Sequence, residues 1–128
     1  MKILIVEDNF FIVGIILKHL AESIVKRGKE LSGYVTVIPN ITEAGLLLKD
    51  NNYTFDVLLI DHDLPDGNGT WILRNYKERF NHIIAISSIP ENNKRLLECG
   101  ANDQVLKLEH GFGKILAKKI GNITQPAE

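Results

Sequence analysis

At 128 residues and 14.4 kDa the chain has the size of one domain, enough to bury roughly two thirds of the surface its unfolded form exposes. Its residues are 45% hydrophobic and 24% charged, with ten Gly and four Pro, which excludes disordered, collagen-like and low-complexity classes. Fifteen basic against sixteen acidic residues leave a net charge of -1, so no basic footprint exists for direct nucleic-acid binding or for an anionic membrane. The lone Cys99 cannot close an internal disulfide, and the apolar run Ile3–Val6 is too short for a signal-peptide core. Residues 10–17 also fall short of the ~18 apolar residues of a membrane span. The expected setting is the reduced cytoplasm.

Apolar runs recur along the chain at Ile3–Val6, Val35–Ile38, Val57–Ile60, residues 83–86 and Val105 with Leu106, and these read as five strands. Most lack period-two alternation, as strands covered on both faces do. Residues 34–38 are more mixed and are followed by Pro39, which marks an edge strand. A first helix is expected from near Asn9, with Ile12, Ile15, Ile16, Leu20 and Ile24 at helical spacing and Asn9 or Asp8 as its cap. A second runs from about Thr42 to Asp50, and a third over 68–80 with Ile72, Tyr76 and Phe80 on one stripe. The fourth is bounded by Pro90 in its first turn and Gly100 after its end, and the fifth covers about 111–120. Single helices between strands force parallel pairing through right-handed crossovers, hence a doubly wound α/β sandwich. The stretch VKRGKELSG (25–33) reads as a helix end and surface loop. The expected organisation is one domain over 1–121, a tail at 122–128 and no output domain.

In such a sheet, ligands sit beyond the carboxyl ends of the strands. Glu7 and Asp8 follow the first strand, Asp61 and Asp63 the third, Ser87 and Ser88 the fourth, and Lys107 the fifth. Carboxylates gathered there repel one another unless a cation joins them, and an all-oxygen set suits Mg²⁺. A lysine and a hydroxyl at the same edge supply what a transferring phosphoryl group requires.

KILIVEDN at the start, DVLLIDHDLPDGNG (56–69), IIAISS (83–88) and GANDQVLK (100–107) together resemble the receiver domain of response regulators in two-component signalling. That resemblance spans nearly the whole chain. It implies a flavodoxin-like five-stranded sheet in the order 2-1-3-4-5 with helices on both faces. It also implies that Asp61 accepts a phosphoryl group from a sensor histidine kinase or histidine phosphotransfer protein. Glu7, Asp8 and Asp61 match the Mg²⁺ ligands, joined by the main-chain carbonyl of Asp63, while Ser87 and Lys107 match the residues that bind the phosphoryl oxygens. Such a domain is no enzyme in the ordinary sense, since it catalyses only its own phosphorylation and dephosphorylation. It signals to a downstream protein through the face of helix four, strand five and helix five.

The chain departs from the family at Leu108, where Pro is usual, and a cis bond before Leu would cost ~2.5 to 4 kcal/mol, so a trans bond is expected. Gln104 replaces a usual aromatic residue, and Asp63 and Ile89 stand where the family controls water reaching the phosphate. VKRGKELSG is the expected insertion.

Taken singly, the site residues have plainer readings: Glu7 and Asp8 as helix-capping acids, Asp61 and Asp63 as turn formers. Their joint placement carries the functional reading. A haloacid-dehalogenase-type phosphatase puts its Asp-x-Asp after the first strand and is longer. A calcium loop fails at Asp66 and Ile72, and a dinucleotide loop lacks its third glycine. His19, His62, His82 and His110 have no ligand spacing and read as surface or packing residues, as do Trp71 and Tyr76. The first helix is apolar on more than one face, through Phe10, Phe11, Val13 and Leu17, which admits a homodimer contact. The standing alternative is a receiver-like protein-binding module with weak or no phosphorylation.

Overall fold

The computed structural model describes residues 1–26 and 35–124. The side chain of Ile24, Tyr34, residues 27–33 of the charged stretch and residues 125–128 lie outside the described residues.

Strands β1 (Ile3–Val6), β2 (Val35–Ile38), β3 (Val57–Ile60), β4 (His82–Ser87) and β5 (Asp103–Leu106) form one parallel sheet in the order β2-β1-β3-β4-β5. Between and after them run α1 (Phe10–Lys26), α2 (Ile41–Lys49), α3 (Thr70–Tyr76), α4 (Pro90–Glu98) and α5 (Phe112–Thr124). This is the doubly wound, flavodoxin-like sheet expected from the sequence.

Alternate strand residues feed two separate cores. Ile3, Ile5, Val57, Leu59, Ile84 and Ile86 meet Ile12, Ile16 and Leu20 of α1 and Phe112, Leu116 and Ile120 of α5. Leu4, Val6, Leu58, Ile60, Ile83 and Ala85 meet α2, α3 and α4 through Ala44, Leu48, Ile72, Leu73 and Leu96. Because both faces are buried, the strands carry no polar alternation. β2 is only partly buried, as an edge strand should be.

Helix ends show where side chains outcompete periodicity. Asn9, rather than Asp8, caps α1: its Oδ1 accepts from the N–H of Phe11 at 3.0 Å and of Ile12 at 3.2 Å. α2 starts at Ile41, one residue before the expected Thr42, because Asn40 Oδ1 accepts from Glu43 N–H at 2.8 Å. A second cap comes from far along the chain. Asp66 accepts from the N–H of Ile41 at 2.9 Å and of Thr42 at 2.8 Å, and the Thr42 hydroxyl bond foremost holds its pKa below the usual carboxylate range. Asp66→Ala is expected to cost about 1 kcal/mol in urea unfolding; no loss would show that Asn40 alone sustains the α2 start.

α3 is shorter than expected. It ends at Tyr76 and passes into a 3-10 turn, Lys77–Arg79, leaving Phe80 buried but outside the helix, its ring 6.3 Å from that of Phe55. Arg79 explains the break, since its guanidinium donates to the carbonyls of Leu48, Asp50 and Tyr53 around the end of α2. Continuing the helix would turn Arg79 away and orphan those acceptors. α4 keeps its expected bounds, Pro90 at the start and Gly100 at φ +120° beyond the end. α5 runs on to Thr124, into residues expected to fray, because Ile123 packs on the core shared with α1.

The loop after β3 also folds into a short hairpin, Asp63–Leu64 against Gly67–Asn68, which periodicity did not foretell. No peptide bond among the described residues is cis, so Lys107 and Leu108 are joined in trans. No helix among them is long and apolar enough to cross a membrane.

Candidate functional site

Glu7, Asp61 and Lys107 are each the first residue past a strand, and Ser87 is the last residue of β4. The ladder of hydrogen bonds continues through their main chains. Glu7 N–H donates to Ile38 O, Asp61 N–H to Val6 O and Lys107 N–H to Ser87 O, each at 3.1 Å. The site therefore stands on the rigid end of the sheet rather than on free loops.

Glu7 and Asp61 are buried at 0% and 4% exposure, while Asp8 is exposed. One oxygen from each of the three lies within 4.8 Å of the others. Lys107 Nζ sits 3.0 Å from Asp61 Oδ1 and also pairs with Glu7 Oε1. Glu7 Oε2 accepts from the N–H of Asp8 at 3.0 Å and of Asn9 at 3.4 Å. Burial pushes the Glu7 carboxyl up to about 7 despite Lys107, with Asp61 adding to the rise. Burial likewise raises Asp61, against the pull of Lys107. Three ionised carboxylates facing one ammonium leave two negative charges unbalanced. Oxygen donors on a fixed frame, beside solvent, suit a hard divalent ion that keeps part of its water.

Ser87 is buried, and its hydroxyl accepts from Ile89 N–H at 3.1 Å at the start of α4, whereas Ser88 is exposed. The Asp63 side chain stays out of the acidic cluster. Its Oδ1 lies 2.7 Å from His62 Nδ1, and its Oδ2 accepts from Asn92 Nδ2 at 3.1 Å. His62 and Asn92, both 5% exposed, were missed as site neighbours. The Asp-His-Asp alternation was the available signal for His62; Asn92 had none, because its contact spans 29 residues. Gln104 is exposed on β5. Phe10 at 80%, Phe11 at 77%, Ile89 at 46% and Leu108 at 83% exposure are large apolar residues that follow the site residues closely in sequence.

No protein-family model and no curated protein sequence matches the chain. Solved structures do. A response regulator receiver domain from Rhodospirillum rubrum aligns with TM-score 0.74 at 18% identity, over 98% of this chain and 96% of that one. The phosphorylated cyanobacterial phytochrome response regulator RcpA aligns with TM-score 0.76 at 22% identity, over 98% of each. A CheY-like receiver domain protein from Methanospirillum hungatei has TM-score 0.66 and 27% identity, over 95% of this chain and 91% of that one. Over nearly its whole length, then, this chain resembles the receiver domains of response regulators and has their fold.

Proposed function

We propose that the chain is a phosphoacceptor receiver domain, in which Asp61 takes a phosphoryl group from a phosphohistidine on a sensor histidine kinase or histidine phosphotransfer protein. What supports this reading above all is the convergence of Glu7, Asp8 and Asp61 oxygens within 4.8 Å, with Lys107 Nζ 3.0 Å from Asp61. In the transfer, Asp61 bonds to phosphorus as the phosphorus–nitrogen bond of the donor breaks. Glu7, Asp8 and Asp61, with the Asp63 carbonyl, would hold Mg²⁺, which when bound neutralises charge on the phosphoryl oxygens. Lys107, whose Nζ lies 3.0 Å from Asp61 Oδ1, pairs with those oxygens as well. Ser87 donates its hydroxyl proton to one of them while its oxygen keeps the bond to Ile89 N–H. The new group adds roughly two negative charges, and Ser87, at the root of α4, is placed to pass the change to that helix.

The outlet of the signal is a protein docked on the α4, β5 and α5 face, and a second copy of the chain is a further partner that the apolar start of α1 admits. The exposed apolar side chains of Phe10, Phe11, Ile89 and Leu108, close in sequence to the site residues, suit an incoming protein better than a small phosphate ester. The chain works in the cytoplasm as a signalling domain, turning over no substrate but its own phosphate.

Incubation with acetyl phosphate followed by intact mass tests the reading. A gain of one phosphoryl group that needs Mg²⁺ and disappears in Asp61→Asn is expected. If no adduct forms and beryllofluoride does not bind, the domain is a binding module instead.

A further inference from the structure

Resting on the reading of Asp61 as phosphoacceptor, we propose that Asn92 is a positioning residue: it turns the Asp63 carboxylate toward α4, away from the phosphoryl group, and so prolongs the phosphorylated state. Asp63 lies two residues beyond Asp61, and its side chain is 64% exposed. A free carboxylate so near an acyl phosphate is a general base for hydrolysis. The water oxygen bonds to phosphorus as the bond from phosphorus to Asp61 oxygen breaks. Asp61 leaves as a carboxylate, and the proton lost by the water passes to the base.

Asp63 is not free in this way. One oxygen faces His62 Nδ1 at 2.7 Å and the other accepts from Asn92 Nδ2 at 3.1 Å. His62 belongs to the same loop and moves with it, whereas Asn92 belongs to α4 and ties the carboxylate to a separate element. Asn92 is itself held, because its Oδ1 accepts from Arg95 Nη1 at 3.0 Å. That bond fixes which end of the amide is the acceptor, so the NH₂ must face Asp63. The result is a polar chain, His62–Asp63–Asn92–Arg95, in which His62 and Asn92 are both 5% exposed. Two buried members thus anchor the exposed Asp63 carboxylate at both of its oxygens, and a chain of hydrogen bonds so satisfied holds one geometry.

The test follows loss of the phosphoryl group by intact mass after the phosphodonor is removed. Asn92→Ala is expected to shorten the lifetime by about fivefold or more and to bring out a solvent deuterium isotope effect larger than in the unsubstituted protein. Adding Asn92→Ala to an Asp63→Ala protein should leave the decay at the rate of Asp63→Ala alone. Arg95→Ala, on the exposed side of α4, lets the amide turn and should act in the same direction, giving a second route if Asn92→Ala fails to fold. Acceleration that persists without the Asp63 carboxylate, or decay unaltered in both Asn92→Ala and Arg95→Ala, would overturn the proposal while leaving Asp61 as acceptor. If the unsubstituted chain takes up no phosphoryl group, the reading of Asp61 fails and this one with it.

Discussion

Gly69→Ala is expected to lower the free energy of urea unfolding by about 3 kcal/mol or more and to abolish phosphoryl uptake at Asp61. A Cβ at this position would lie 2.0 Å from the main-chain carbonyl oxygen of Asp61 and 2.9 Å from Ile60 Cγ1. Its backbone is ordinary helical, at φ -57° and ψ -22°, so the requirement is for space and not for conformational freedom. Gly69 N–H donates to His62 O at 2.7 Å, which draws the start of α3 directly onto the loop bearing Asp61. Neither obstacle can step aside: one is backbone, and the other is a buried strand residue. Gly14→Ala is the contrast, because Gly14 is an exposed position of α1 and nothing lies within 4 Å of its would-be Cβ. That change should be neutral or stabilise by about 0.5 to 1 kcal/mol through helix propensity. Similar urea midpoints for both variants would mean that the α3 start can shift without harm.

Lys107→Ala in metal-free protein is expected to cost about 3 to 5 kcal/mol at pH 8 and markedly less at pH 5. Lysine is the cation beside two buried carboxylates, and its removal leaves them unpaired. The sign follows from Glu7, whose carboxyl is pushed up to about 7 by burial in the folded chain. An acid with a raised folded pKa binds protons more readily when folded, so its contribution is best below the ordinary carboxylate range. That contribution declines as pH rises from about 4.3 toward 7 and then levels off. Asp61, also raised by burial, works in the same sense. Without Lys107 both carboxyls rise further, and the loss deepens on the alkaline side. Urea unfolding at the two pH values measures it, and equal losses at both would show that the lysine acts through packing alone. Mg²⁺ competes with protons for these oxygens, so added Mg²⁺ should recover more stability at pH 8 than at pH 5.

Much of this architecture was legible because the sheet is buried on both faces. Continuous Val, Ile and Leu at Val57–Ile60 can be little else, and Pro90 with Gly100 brackets α4 unambiguously. The site was legible for a related reason: a parallel sheet brings its carboxyl ends to one edge, so Glu7, Asp61, Ser87 and Lys107 could be grouped from strand order alone. What escaped was decided by contacts distant in sequence. Asp66 reaches 25 residues back to fix the start of α2, and Arg79 reaches back to its end, cutting α3 short. Nothing in the local pattern around Tyr76 carries that information, whereas Asn40, three residues before Glu43, was a local signal for the start of α2 that Asp66 reinforces. The apolar pattern marks only Val105 and Leu106 of β5, because its first two residues, Asp103 and Gln104, are polar; Lys119 of α5 meets the Asp103 carboxylate at 2.9 Å on this sheet edge. The pattern of α5 fades at Asn122, although Ile123 beyond it still finds the core.

The hairpin loop after Asp61 is moored on both flanks, to α2 through Asp66 and to α4 through Asp63. A strap fastened at two shores cannot lift at one end unnoticed by the other. Fraying at the first turn of α2 and opening of the loop therefore form one cooperative unit, with a shared free energy of opening. Whatever grips this loop from outside also tightens a helix on which it has no direct hold.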